Sequence, residues 1–584
     1  MYNIIIVSHR GNEIQFQEVL IMRKTLSIIL SAIMLLSACV FAIPASAAEG
    51  TPINNADEFL NMAAEGTYYL NADINLPGTY VNAFKGTFDG NGHTVTVSAP
   101  MFADFSGEVK NLTIKGEINY SDANAAAFAV LSSYGIKAEN VINNAKVSVL
   151  GNAELAAGLV CEDKATQNDK NATASTFINC VNNGEIYIDS TFTNYPTAAG
   201  LVGRADSISF TGCTNNAKVT SKGNRAVAAG ICARISPVAG NNNAEAYKCV
   251  NNGDITSIEN YHNAEGTLDT GASETAGIFA NIGVKNNVGT YAVYGCVNNG
   301  AITGTYRTAG LVGYCYGSSS NQFLDLEFCI NTGNITYGRT QSNDDNVHDW
   351  CSPFIAYTNT AFTTVKYNID LGSYTKDPNC INLNPGMTFF GCSSADVMLC
   401  DIQHNYLINK ESFMYYTYAS AAKNEAQRHV IDECDGILPV TLEELKSGKI
   451  AYIINEAVKS DDYGAAEGYA FYQNLGTDDL PTVDSTHGWV VLSGSNYVNG
   501  DPSATEPETT EAPETEETTS APEAEATTSA PEAEETTKEA PESANNNAQP
   551  DNTEPAKGGC GGFAAGTVAI IAIIGTALIV KKRD

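Results

Sequence analysis

The feature that most restricts this 584-residue chain is a short phrase that recurs through its middle. It reads Cys180-Val-Asn-Asn-Gly-Glu-Ile, Cys213-Thr-Asn-Asn-Ala-Lys-Val, Cys249-Val-Asn-Asn-Gly-Asp-Ile, Cys296-Val-Asn-Asn-Gly-Ala-Ile and Cys329-Ile-Asn-Thr-Gly-Asn-Ile, and an earlier copy has Val141 in the cysteine place. Each copy is followed, after a variable stretch, by a small-small-Gly-apolar element such as Ala199-Gly200-Leu201 or Ala309-Gly310-Leu311. Two short β-like runs per period, at spacings of roughly 33 to 47 residues, are the signature of stacked supersecondary units. Length therefore does not count domains here, because a repeat array absorbs hundreds of residues into one continuous core.

Stacking in register places equivalent residues one rung, about 4.8 Å, apart. Asn143, Asn182, Asn215, Asn251, Asn298 and Asn331 are then expected to form a ladder of side-chain amide hydrogen bonds. The repeat glycines supply positive φ or close backbone approach at the bends, and the Ile, Val and Leu positions point inward. Variable spacing is explained by loops of different length leaving one corner. The expected class is all-β, a right-handed parallel β-helix with short capping helices, a disordered acidic linker and one C-terminal transmembrane helix.

The entry segment Phe84-Lys-Gly-Thr-Phe-Asp-Gly-Asn-Gly-His93-Thr-Val, with Met101-Phe102 and Val109-Lys-Asn-Leu-Thr-Ile114, resembles the start of β-helices with GLUG-type repeats. Their Gly-Leu-x-Gly signature stands at Gly200-Leu-Val-Gly203 and Gly310-Leu-Val-Gly313. The resemblance covers roughly residues 50 to 340 and implies a bacterial surface setting, as in the non-catalytic regions of immunoglobulin A peptidases. It carries over no catalytic residue.

Open solenoid ends expose sheet edges, so caps are expected. Asn55-Ala-Asp-Glu58 opens a short helix ending at Gly66, and Thr441-Leu-Glu-Glu444 is a capping box for a helix running through about Glu456. The segment from Phe471 to His487 reads as a closing module. Residues 341–435 lack clear periodicity and are expected to be irregular coils or a separate insertion.

The ends of the chain address it to the cell surface. Arg23-Lys24, an apolar run to Ile43 and Ala45-Ser46-Ala47 form a three-part secretory signal, with translation expected to start at Met22. Leu36-Ser37-Ala38-Cys39 offers a rival, lipoprotein-like reading. Phe563 to Val580 is apolar and uncharged, long enough for a membrane helix, and Lys581-Lys582-Arg583 would hold its end in the cytoplasm. Between about Asp501 and Lys557, Thr, Glu, Pro and Ala dominate, so the segment cannot bury a core and reads as a solvated stalk. No LPxTG sorting motif is present, and Cys560 within Gly558-Gly559-Cys560-Gly561-Gly562 is a candidate processing site or a plain hinge residue. The expected division is 1–21 upstream of the start, 22–47 signal peptide, 48–83 N-terminal cap, 84–437 β-helix, 438–500 C-terminal cap module, 501–562 stalk, 563–580 transmembrane helix and 581–584 cytoplasmic tail.

A net charge of −34, from 66 acids against 32 bases, disfavours nucleic acid, which needs clustered Lys and Arg. Most of the fifteen cysteines sit in the repeats, and those at the phase of Val141, Cys180, Cys213, Cys249, Cys296 and Cys329, read as small buried hydrophobes, with disulfide pairing left open. No CxxC occurs and the histidines are scattered, so neither metal nor cofactor is expected. Glycoside cleavage on such a fold needs an acid and a base across one bond, and the repeats show no such cluster, so no catalytic residue is assigned. The richest polar loop is Asp344, Asp345, His348, Asp349 and Trp350, where a Trp could stack a sugar and acids hold it. Its bland reading is a solvated insertion. The leading expectation is a non-enzymatic surface module that binds a host or plant glycan, mucin or a neighbouring cell. A polysaccharide lyase or glycoside hydrolase and a structural surface-layer component are the alternatives.

Overall fold

A computed structural model describes residues 49–500 except 79–80, 166–173, 192–194, 237–242, 260–272, 285–288, 318–321, 339–349, 359–361, 379–387, 393–399, 414, 420–427 and 460–468. The segments expected to be a signal peptide and a stalk, the apolar C-terminal segment and Cys560 lie outside these residues. Among the described residues no helix is long and apolar enough to cross a membrane.

The chain forms a parallel β-helix. One coil shows the plan: Val160–Asp163, Ser175–Ile178, Val181–Asn182, Ile186–Ser190 and Thr197–Ala199, after which the next coil starts at Val202. Each of these strands pairs in parallel with its counterpart in the coils before and after, and the same register makes Val160, Val202, Cys232, Phe279, Val312 and Ile355 one inward column. Ile186, Val219, Ile255, Ile302 and Ile335 form another. Alternation of side chains along each short strand sends one set into the core and the other to the surface. Aromatic side chains fill the wide first coils, with the Phe102 and Phe105 ring centroids 5.0 Å apart and Phe105 and Phe128 4.8 Å apart.

The stack begins earlier and runs further than the repeat phrase suggests. Thr51–Ile53 pairs in parallel with Glu65–Leu70, which pairs with Val81–Asp89, so the solenoid starts within the segment expected to be only a cap. The N-terminal helix is a single turn, Ala56–Leu60, capped by the Asn55 side chain, and it drives Phe59 into the core. It ends at Asn61, and Gly66 lies instead in the following strand. Trp350–Ser352, Ile355–Thr358, Phe362–Lys366, Ile369–Asp370 and Tyr374–Lys376 continue the parallel register, so this part of residues 341–435 is regular coil.

Left-handed backbone occurs at one corner, immediately before the cysteine position: Asn179, Gly212, Lys248, Gly295, Phe328, Tyr367 and His404. Most of these are not glycine. The repeat glycines serve close approach instead: a Cβ on Gly253 would strike the carbonyl of Ala217, and one on Gly300 that of Gly253. Positive φ is unusual for bulky side chains. Phe328, Tyr367 and His404 stack along this corner, with centroid separations of 5.1 and 5.7 Å, and Tyr469 and Phe471 of the C-terminal module pack on Phe328. That module therefore lies along a flank of the solenoid. Its helix starts at the Thr441/Glu444 capping box but breaks at Gly448, φ 81°, into Leu442–Lys446 and Lys449–Lys459. Asn455 exchanges two hydrogen bonds with the backbone of Phe471, 2.8 and 2.9 Å, and pins the helix to the segment that follows. Near the end of the stack, Tyr415–Ala419 pairs antiparallel with Arg428–Val430, departing from the parallel pattern.

Candidate functional site

A polar, partly buried strip runs along a longitudinal notch where the small-small-Gly-apolar element turns into the first strand of the next coil. The bend folds the two strands toward each other on the outside, so only small residues fit at its floor. Ala157, Ala199, Ala229, Ala276 and Ala309 line one side, and Gly203, Ala233, Ala280, Gly313 and Ala356 the other. A Cβ on Gly203 would come within 2.6 Å of the Cys161 carbonyl oxygen, and one on Gly313 equally close to that of Ala280.

Two columns of larger side chains stand over this floor. In one, parallel register aligns Glu162, Arg204, Arg234, Asn281, Tyr314 and Tyr357. In the other it aligns Leu155, Thr197, Val227, Glu274, Arg307 and Trp350. Arg204 binds Glu162 and, at 2.7 Å, Glu154, while Arg234 reaches the same Glu154 oxygen at 3.1 Å. The Arg234 guanidinium also sits 5.0 Å from the centre of the Tyr195 ring. Burial and the neighbouring Arg204 charge make Arg234 a weaker base than usual. One coil pair further along, Arg307 bonds Glu274 at 2.9 Å and is enclosed by aromatic rings, its guanidinium carbon 3.7 Å from the Tyr314 centroid, 4.6 Å from Tyr306 and 4.9 Å from Tyr357. Burial raises the Glu274 pKa, and the Arg307 charge opposes that rise. Cation–π contacts of a desolvated guanidinium are worth up to about 2 kcal/mol, so this cage holds Arg307 firmly.

The arrangement offers guanidinium groups, carboxylates and tyrosine rings in a row at rung spacing. The arginine and glutamate side chains are paired with one another, and Glu274 is only 1% exposed. The network presents a polar, aromatic strip rather than an acid and a base facing an open bond.

The loop singled out by sequence falls differently. Asp344, Asp345, His348 and Asp349 lie outside the described residues. Trp350 begins a strand and is 1% exposed, packed against Tyr357 with centroids 5.2 Å apart. Its indole faces the notch cluster of Ala309, Ala356 and Tyr357 and cannot serve as an exposed sugar platform. The notch residues carried no separate sequence signal, because each lies one per coil at a position that varies from Glu to Arg to Tyr. Only the invariantly small floor, already visible as Ala-Gly and Gly-Leu-x-Gly, marked the place.

The asparagine column forms a continuous buried chain. Asn143 donates to Asn182, Asn182 to Asn215, Asn215 to Asn251 and Asn251 to Asn298, each at 2.8 Å, and Asn298 to Asn331 at 2.9 Å. Each amide also donates to the carbonyl two residues on, as Asn251 does to Gly253 at 2.9 Å. Asn331 donates at 2.8 Å to Asp370, whose other oxygen accepts the Tyr374 hydroxyl at 2.7 Å. Burial lifts the Asp370 pKa to about 6. A second, more exposed chain runs through Asn144, Asn183, Asn216, Asn252 and Asn299 to Thr332. The doubled Asn in the repeat phrase was its signal. The repeat-phase cysteines are buried free thiols, for example Cys213 donating to the Phe177 carbonyl at 3.3 Å. Asp89 and Asp484 accept local backbone amides as turn residues, and His487 lies 2.7 Å from Asp478 within the C-terminal module. Among the described residues no group of three or more His, Cys, Asp and Glu side chains is placed to hold a metal ion.

No protein-family model and no curated protein matches the chain. Among solved structures, a Bacteroides ovatus protein described as a "putative immunoglobulin A1 protease" is similar at 17% identity over 50% of this chain and 78% of that one, with a TM-score of 0.29. A likeness at that level carries no functional argument.

Proposed function

We propose that this chain is an exported, cell-surface-anchored β-helical protein of GLUG type that binds glycan or host-surface ligands without catalysis, using the notch as its contact strip. The carrying observation is the row of partly exposed side chains Arg204, Arg234, Tyr195, Tyr306 and Tyr314 over an alanine and glycine floor, with the caged Arg307 fixing the tyrosine rings from beneath. Guanidinium groups and tyrosine rings are the side chains that grip saccharide hydroxyls, carboxylates and ring faces. Binding is favoured over cleavage because Glu154 and Glu162 each give one oxygen to the Arg204 guanidinium and Glu162 gives its other to Lys164, so the pair serves an ion-pair network rather than standing as acid and base across an open bond. The surface setting draws its support from the Met22–Ala47 signal pattern, the acidic stalk and the apolar 563–580 segment followed by basic residues.

The test is a glycan and mucin array probed with the exported chain and with Arg204→Ala and Tyr195→Ala variants. Selective retention that is lost in variants with near-normal melting supports the reading. Silence across the whole array, or retention untouched by both changes, removes it. Release of reducing or unsaturated ends from an arrayed polysaccharide would favour the lyase or hydrolase alternative.

A further inference from the structure

The first coils carry a second surface feature, built mainly from residues that precede those of the notch. Gly66, Gly86 and Gly107 lie one above another in parallel register, and Gly107 donates its amide to Gly135 of the next coil at 3.0 Å. Added side chains have no room there: a Cβ on Gly107 would strike the Gly86 carbonyl, and one on Gly86 that of Gly66. The result is a strip of bare backbone flanked by side-chain columns. Over Gly107 and Gly135 it widens into an open cleft of about 260 Å³, with Lys85, Ser106 and Tyr134 among the residues on one side and Glu108 and Lys137 on the other.

Several observations mark this cleft as a recognition surface. Tyr134 is 59% exposed, the most exposed large apolar side chain among the described residues. It is nevertheless held: its amide donates to Ser106 Oγ at 3.1 Å, and the preceding Ser133 is clamped by Asp104 through bonds of 3.0 and 2.6 Å. The Lys85 ammonium lies 5.3 Å from the centre of the Tyr134 ring. Across the cleft Lys137 pairs with Glu108 at 3.1 Å, but both are more than half exposed, so water and a competing anion reach the lysine readily. The cleft therefore carries two lysines against one glutamate in a chain whose net charge is −34.

We infer that this cleft binds a carboxylate-bearing saccharide. The glycine floor admits a sugar chain, the exposed Tyr134 ring offers an apolar platform to a sugar face, and Lys85 and Lys137 meet its carboxylates from opposite sides. A carboxylated glycan is favoured over a phosphate-rich polymer because phosphate recognition needs clustered Lys and Arg, whereas this cleft offers two lysines in a chain of 66 acids against 32 bases. The site is separate from the notch and does not depend on it.

The experiment is calorimetric titration of the whole exported chain with tetragalacturonate, with a hyaluronan tetrasaccharide, and with neutral cellotetraose at low and moderate salt. Binding of at least one carboxylated probe, weakening as salt rises and absent for cellotetraose, is the expected result. Lys85→Ala, Lys137→Ala and Tyr134→Ala should each weaken it by about tenfold or more, with melting unchanged because all three side chains are exposed, and Arg204→Ala should leave it intact. Which of the two acidic probes binds distinguishes a pectin-like from a host-matrix-like source. Failure of both to bind, equal binding of cellotetraose, or unaltered affinity in the three cleft variants overturns the inference. Loss of binding in Arg204→Ala alone would assign the saccharide to the notch and equally overturn it.

Discussion

Two adjacent asparagines in one coil allow the worth of the buried ladder to be measured against an internal control. Asn251 is fully buried; it accepts from Asn215 and donates to Asn298 and to the Gly253 carbonyl. Asn251→Ala leaves three buried polar groups without partners: the Asn215 amide hydrogen, the Asn298 side-chain oxygen and the Gly253 carbonyl. An orphaned buried group costs about 1–3 kcal/mol, so the three together should destabilise by roughly 3–9 kcal/mol, the lower end applying if a water enters the space. Asn252 makes equivalent rung-to-rung bonds of 2.8 Å to Asn216 and from Asn299, but it is only part-buried. Water replaces those bonds, and Asn252→Ala should cost at most about 1 kcal/mol. Urea denaturation of the two variants gives the comparison, and hydrogen exchange should localise the loss in the Asn251 variant to the coils carrying Asn215 and Asn298, since coils couple mainly to their neighbours. Equal destabilisation by the two substitutions would refute the argument that burial, rather than the bond itself, sets the value of the ladder.

Stability should fall between pH 5 and pH 8, a window in which the carboxyls with lowered pKa values, such as Asp73 and Glu444, are already ionised. Burial raises Asp370 to about 6 and Asp163 to about 7, the latter with Ser175 and Ser132 offsetting part of the rise. A carboxyl raised in the fold contributes fully below its unfolded value near 4 and loses that contribution as pH climbs through the folded value, here on the order of 3 kcal/mol for Asp370 and 4 kcal/mol for Asp163. Denaturation midpoints at pH 5 and pH 8 check this, and Asp163→Asn and Asp370→Asn should flatten the difference. Arg307→Met should cost about 3–5 kcal/mol by stranding the buried Glu274 carboxylate, while the Arg307→Met/Glu274→Gln double variant recovers most of it in thermal melting. Gly310→Ala should destabilise by about 2 kcal/mol or more because its Cβ would strike the Pro353 carbonyl and lie 2.6 Å from Asn331 Oδ1, whereas Gly476→Ala, with open space but φ 87°, should cost only about 1 kcal/mol.

The repeat phrase alone determined a parallel stack, the inward Ile and Val columns and the partners available to each ladder asparagine. The reason is that in-register stacking turns sequence periodicity directly into spatial neighbourhood. Where periodicity faded, after Ile335 and before Phe84, local sequence no longer distinguished coil from insertion, and long-range pairing decided that both segments belong to the stack. The side of the molecule that a variable residue occupies was likewise beyond sequence. Trp350 looked like the last residue of a polar loop, yet it sits one rung beyond Arg307 and turns inward to the Tyr357 cluster. The same register assembled Glu162, Arg204 and Arg234, about one coil apart along the chain, into a single charged strip. Such a site has no contiguous motif, because its residues share only a height on successive rungs, and that height is fixed by how each loop between strands is accommodated in three dimensions.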